Sequence, residues 1–299
     1  MMRMIRVGLL LSMLVISAGA YSADALLKPF VLASKGAGTV VDKSAQVKTA
    51  LTGAGFVMVG EYAPYPGANI IVVTNDELKQ NAAASKKFGG YGAVQRVSVT
   101  AAGSEVQVSY TNPVYMSHVY RMEGDLSGVS VALEKALGRM EEFGAHGLTV
   151  KQARKYHYMF GMEYFDEPSL LAEYASYEEA VKAVDAKLTS NRNGVVKVYR
   201  VDIPGTQESV FGVAMANTEN KYMDDAFIMS EIDFHDVKST AHLPYEVLVS
   251  GKRVYALYAR FRIAINFPDL SMMGKNSFMN IMQTPEAIRS VLEKTVEKK

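Results

Sequence analysis

The chain contains no cysteine, which excludes disulfides, thiolate metal sites, covalently attached c-type haem and thiol redox chemistry. The same absence removes the lipid-modified thiol that tethers a bacterial lipoprotein. Long hydrophobic runs are missing too. The most apolar stretch, Val7 to Ser17, falls short of the roughly 20 residues needed to span a bilayer, so no integral membrane segment is expected once a leader is removed. No sign of charge dominates: with Arg3 and Arg6 set aside, the 32 basic residues fall to 30 against 31 acidic ones. That balance argues against nucleic acid or an anionic membrane as the main partner. Catalytic spacings are equally scarce. There is no Gly-x-Ser-x-Gly turn, no His-x-x-x-His or His-Glu-x-x-His pair, and no phosphate loop among Gly36-Ala37-Gly38, Gly53-Ala54-Gly55 and Gly89-Gly90. A non-enzymatic role is expected, with no cofactor.

What is present begins with Arg3 and Arg6, followed by an apolar run and the small residues Ala18-Gly19-Ala20. This is the pattern of a secretory signal peptide over 1–20, with delivery to a periplasm-like space or secretion.

Past a loosely patterned stretch, the chain reads as two copies of one small α+β unit. In the first, spanning 44–143, Val47, Ala50, Leu51 and Ala54 recur at helical spacing, with Ser44 placed to cap and Gly55 to stop the helix. Phe56 to Glu61 and Asn69 to Thr74 read as paired strands, and Asp76 to Phe88 as a peripheral helix. Val94 to Thr100 and Val106 to Thr111 alternate apolar with polar residues, predicting one buried face and one wet face. Leu126, Val129, Leu133, Leu137 and Met140 close the unit as a helix.

The second copy spans 176–299. Ser176 and Glu179 have the spacing of a capping box, and Val181, Val184 and Leu188 continue a helix. Strands are predicted at Val195 to Val201, Val210 to Ala216, Tyr245 to Ser250 and Val254 to Ile265, with a closing helix at Ile288, Val291, Leu292 and Val296. Asn217 to His242 reads as an inserted loop with a short helix. Between the copies lies an aromatic connector, 144–175.

Local signatures resemble the domain of unknown function 302 family. Val108-Ser109-Tyr110-Thr111-Asn112-Pro113 followed by Val114-Tyr115-Met116 is similar to that family's strand and Asn-Pro exit, and Gly55-Phe56 and Thr74-Asn75 sit where similar residues would. In the second copy His242-Leu243-Pro244-Tyr245-Glu246-Val247-Leu248-Val249 resembles the family's Leu-Pro strand start, while Asn266-Phe267-Pro268 splits the Asn-Pro pair. The resemblance implies a fold like that of the TATA-binding protein, antiparallel sheets with helices packed on one face, and no activity, since the family has none assigned.

The densest group of candidate site residues is in the connector, Tyr156 to Phe165, where five aromatics occur in ten residues. Such rings either pack as structural glue between the units or line a pocket at their interface for a small apolar ligand or a protein partner. Tyr156, His157, Tyr158, Phe160, Glu163 and Tyr164 are the candidate ligand-binding residues, with His157 and Glu163 as polar anchors. The alternative, a periplasmic metal-handling protein or an uncharacterised enzyme using this connector, rests on His157, Met159 and Met162, a soft donor set suited to Cu(I). A second methionine group, Met272, Met273, Met279 and Met282, reads as core filling. His118, His146, His235 and His242 stand apart in sequence. Self-association into a homo-oligomer through an exposed sheet edge is a further expectation.

Overall fold

The structure, a computed structural model, describes residues 25–217 and 219–298, so the leader read over 1–20 lies outside the described residues. The protein is α+β, with two antiparallel sheets, each covered by helices on one face.

The first unit comprises β1 (Phe30–Gly36), α1 (Val40–Gly53), β2 (Val57–Tyr62), β3 (Ala68–Thr74), α2 (Asp76–Ala84), β4 (Gln95–Ala102), β5 (Glu105–Thr111), α3 (Pro113–Val119), α4 (Ser127–Leu137) and β6 (Glu141–Phe143). A short helix, α5 (Val150–Arg154), lies in the connector. The second unit comprises β7 (Ser169–Glu173), α6 (Tyr177–Thr189), β8 (Val195–Ile203), β9 (Glu208–Met215), α7 (Asp225–Ile232), β10 (Tyr245–Ser250), β11 (Arg253–Ala256), α8 (Ala259–Ala264) and α9 (Thr284–Val296).

The sheet orders are β2-β3-β4-β5-β1-β6 and β8-β9-β10-β11-β7. The five strands of the second match β2-β3-β4-β5-β1 of the first in order, with β6 an additional edge strand of the first, so duplication extends to topology. Irregularities repeat as well: β2 shifts register against β3 between Met58 and Gly60, and β8 shifts against β9 between Lys197 and Tyr199. The helix caps correspond too. Thr39 accepts from the Asp42 amide at the start of α1, and Ser176 from the Glu179 amide at the start of α6, each satisfying a donor that the helix leaves open.

Several sequence expectations change here. Each unit begins with a strand that sequence reading missed: β1 precedes residue 44, and β7 falls inside the segment read as connector. Phe30 to Ala33 is buried on both faces, so β1 shows no alternation to recognise. Helix α1 is capped by Thr39, not Ser44, whose buried hydroxyl instead accepts from Asn69 Nδ2 at 2.9 Å. The strand expected from Val254 to Ile265 ends at Ala256, and the chain turns into α8. Asn112 precedes α3 whereas Asn266 follows α8, so the two Asn residues are not equivalent positions. Met140, expected on the closing helix, lies beyond α4 and is exposed.

The alternation in β4 and β5 is real, but its polar face is not wet. Val97, Val99, Val108 and Tyr110 share the face packed on α1, while Arg96, Ser98, Thr100, Gln107, Ser109 and Thr111 are buried on the other face, toward the second unit. The inserted segment supplies the cover: Thr100 donates to Thr240 at 2.9 Å, and the Gln107 side chain bridges the Asp236 carbonyl and the Lys238 amide. Reciprocally, the 3-10 turn Gly89–Gly92 of the first unit sits on β9 and β10. This mutual arrangement is that of an isologous pair within one chain.

At its centre Arg96 of β4 pairs with Glu246 of β10, and Glu246 also accepts from Arg262 Nε at 3.1 Å. Arg262 further donates to the His242 and Pro244 carbonyls and, at 3.1 Å, to His242 Nδ1. Nδ1 is therefore an acceptor, which leaves Nε2–H to donate to Tyr245 Oη at 3.1 Å. Burial and the two guanidinium groups hold His242 neutral, its pKa well below the usual value. The hydrogen bonds are what make this buried charge set tolerable.

Candidate binding surface at the connector

After the Thr149 capping box and α5, residues 155–168 run without regular structure and send side chains to separate places. Phe165 is the anchor: its ring lies 5.5 to 6.4 Å from those of Phe88, Tyr91 and Tyr120 of the first unit and Phe261 of the second. Tyr156 donates to the Ala264 carbonyl at 3.2 Å, and Tyr115 to that of Ile265 at 2.7 Å, satisfying acceptors that the end of α8 leaves open. This part of the connector is structural glue.

Tyr158 and Met162 turn toward a crevice formed with Ile263, Phe267, Leu270 and Phe278. The space left there is about 10 Å³, the volume of a single water. The ring-lined ligand pocket expected from the sequence is thus a filled crevice. Glu163, expected as a polar anchor, is occupied by Arg260, whose Nε lies 3.1 Å from its carboxylate.

His157 and Tyr164 turn the other way. Their rings lie 4.5 Å apart and wall an open groove of about 680 Å³, completed by Arg121, Lys151, Arg154 and Lys155. Arg121 comes from the distant end of α3 through a left-handed backbone, φ 49°. Its Nε donates to the Arg154 carbonyl at 2.9 Å, and its guanidinium lies 5.7 Å from the Tyr164 ring centre. Of the four cations only Arg121 has a carboxylate partner, Asp166 at 2.8 Å, among the described residues; Arg154 donates to the Met122 carbonyl. The local potential is therefore positive. The pKa of the partly buried His118 is lowered first by burial and then by Arg154, against an opposing effect of Asp125.

Met159 and Phe160 form the tip of the loop. Phe160 is 100% exposed and Met159 44%, and the Met159 carbonyl lies 2.9 Å from His157 Nδ1, tying the tip to the groove wall. The soft donor set is thereby divided: His157 faces the cationic groove, Met159 the solvent and Met162 the crevice. Neighbouring cations oppose a metal ion at His157, and no group of three or more His, Asp or Glu side chains among the described residues is arranged to hold one. The second methionine group does not fill the core as expected. Met273, Met279 and Met282 are exposed on the segment around the short 3-10 turn Phe278–Ile281.

Arg121, Lys151, Arg154 and Lys155 were missed in the sequence. Lys151-Gln152-Ala153-Arg154-Lys155 did carry a signal, three cations in five residues at helical spacing. Arg121, 33 positions before Arg154, carried none.

Of the four outer strands, the two longer ones, β2 and β8, lie against each other across the units. β6 has three residues, two of them Glu141 and Glu142, and β7 has five, short edges that discourage strand addition. No helix among the described residues is long and apolar enough to cross a membrane. No family model, curated protein or solved structure matches the chain.

Proposed function

We propose that this chain is an exported, non-enzymatic binding module whose connector holds an amphiphilic anion. The anionic head lies in the groove of Arg121, Lys151, Arg154 and Lys155, and the apolar part lies against Met159 and Phe160. The observation that carries this reading is the juxtaposition of three cations without carboxylate partners among the described residues, Lys151, Arg154 and Lys155, with two exposed apolar side chains on one loop. Delivery outside the cytoplasm follows the leader read at 1–20. The resemblance to the domain of unknown function 302 family, which has no activity assigned, names no ligand for this site.

The test is titration calorimetry with octyl phosphate below its micellar concentration, beside inorganic phosphate and octyl glucoside. Octyl phosphate should bind most tightly. The double variant Lys151→Glu, Lys155→Glu should weaken it at least about tenfold, since reversing exposed charges changes attraction without touching the core. Equal binding of octyl phosphate and the uncharged glucoside would remove the groove from consideration.

A further inference from the structure

We infer that the anion recognised at this groove is the phosphate plane of an acidic phospholipid bilayer, with Met159 and Phe160 inserted among the acyl chains. The inference rests on the reading of the groove as an anion site and adds the identity of its source.

Three observations favour a bilayer over a free amphiphile or an acidic peptide. First, the apolar element is convex. Phe160 is fully exposed at a loop tip, so no wall of this chain closes around a ligand there; a fluid surface admits a protruding ring without a preformed pocket. Second, the neighbouring crevice is filled, with about 10 Å³ free, so an acyl chain has no cavity to enter. Third, three of the four cations belong to the same connector as the tip, with Lys151 and Arg154 on α5, Lys155 beside it, and His157 of the groove wall joined to Met159. Exposed apolar residues beside Lys and Arg are the arrangement by which peripheral proteins bind anionic interfaces. Met279 follows Phe278, which shares the crevice with Tyr158 and Met162, and it adds exposed apolar surface close by. The near-neutral total charge weighs against attraction of the whole chain to an anionic membrane, but not against attraction of one local patch. Headgroup attraction decays within a Debye length of about 10 Å, so the cations at the contact decide it.

The chain contains no tryptophan, so Phe160→Trp places a single reporter at the tip. With vesicles of phosphatidylcholine containing phosphatidylglycerol, its emission should shift to the blue, and the chain should float with the vesicles. With phosphatidylcholine alone, or at high salt, both effects should vanish. Lys151→Glu with Lys155→Glu should weaken flotation at least about twentyfold, and Phe160→Ser about tenfold, both with an unchanged melting temperature. If octyl phosphate binds in calorimetry but vesicles do not, the bilayer assignment falls and the groove reading stands. If neither binds, both fall. Wild-type flotation by Phe160→Ser, or unshifted indole emission from Phe160→Trp on bound vesicles, would overturn insertion of the tip.

Discussion

The two units share strand order, cap positions and register shifts, yet they present opposite chemistry at the same place. Beside the register shift, Gly60 in β2 corresponds to Tyr199 in β8, and the positions paired with them lead across each sheet to Arg96 in one and Glu246 in the other. If both copies carried Arg there, or both Glu, like charges would meet in a dry interior. Divergence of this one pair turns a self-contact into a complementary one, and Gly60 in turn lets Val198 and Tyr199 approach. The backbone plan is common to both units, and their association depends on where they differ.

The sharpest way to break that association is Glu246→Ala. Glu246 is the anion shared by Arg96 and Arg262, so its loss leaves two buried guanidinium groups uncompensated and should cost about 3–5 kcal/mol in urea unfolding. Arg96→Met should cost less, because Arg262 still pairs with the carboxylate. Equal losses would show that the pair is not organised around Glu246.

Gly212→Ala comes next. A Cβ there would meet the Tyr199 ring at 2.0 Å, and overpacking of this kind costs about 1–3 kcal/mol. A stability within experimental error of wild type would mean that Tyr199 has room to move away from β9.

The pH dependence separates the inserted segment from its partner unit. Burial pushes Asp225 up to about 8 and Asp233 up to about 7. Asp225 accepts from the Met215 amide at 3.0 Å and from Tyr62 of β2 at 3.3 Å. A folded-state pKa above the unfolded value means that the folded chain keeps a proton the unfolded chain releases. The resulting stability is present near pH 4 and lost as pH rises toward 8. His242 works in the other direction: its lowered pKa makes the folded state lose stability as pH falls below about 6.5. Asp225→Asn keeps an acceptor oxygen and should flatten the alkaline decline, measured as urea midpoints at about pH 5 and about pH 8. An unaltered slope would remove Asp225 as its source.

The smallest effect tests whether the copies remain equivalent where they still agree. Thr39→Ala and Ser176→Ala should each cost about 1 kcal/mol by loss of a helix cap, and unequal losses in thermal unfolding would show that the two helices no longer carry the same load.

Duplication was legible because helix spacing, caps and turn residues are local properties: Ser176 capping α6, and the turn that joins β4 to β5, follow from a few adjacent residues. The connector was legible as aromatic and in need of burial. Its partition was not, since adjacent rings at Tyr156, His157 and Tyr158 go to α8, the cationic groove and the crevice according to what each meets.

The sequence alone determined the repeated α+β unit, the start of α6 at Ser176 and the apolar faces of β4 and β5, because these depend on periodicity and on backbone donors satisfied within a turn or a strand. The tertiary structure decided that the Ser, Thr and Arg face of β4 and β5 is dry, that β1 and β7 complete their sheets, and that Arg121 joins Lys151 and Lys155 around one groove. Each of these joins residues far apart in the chain, and their environment comes from packing that no local pattern encodes.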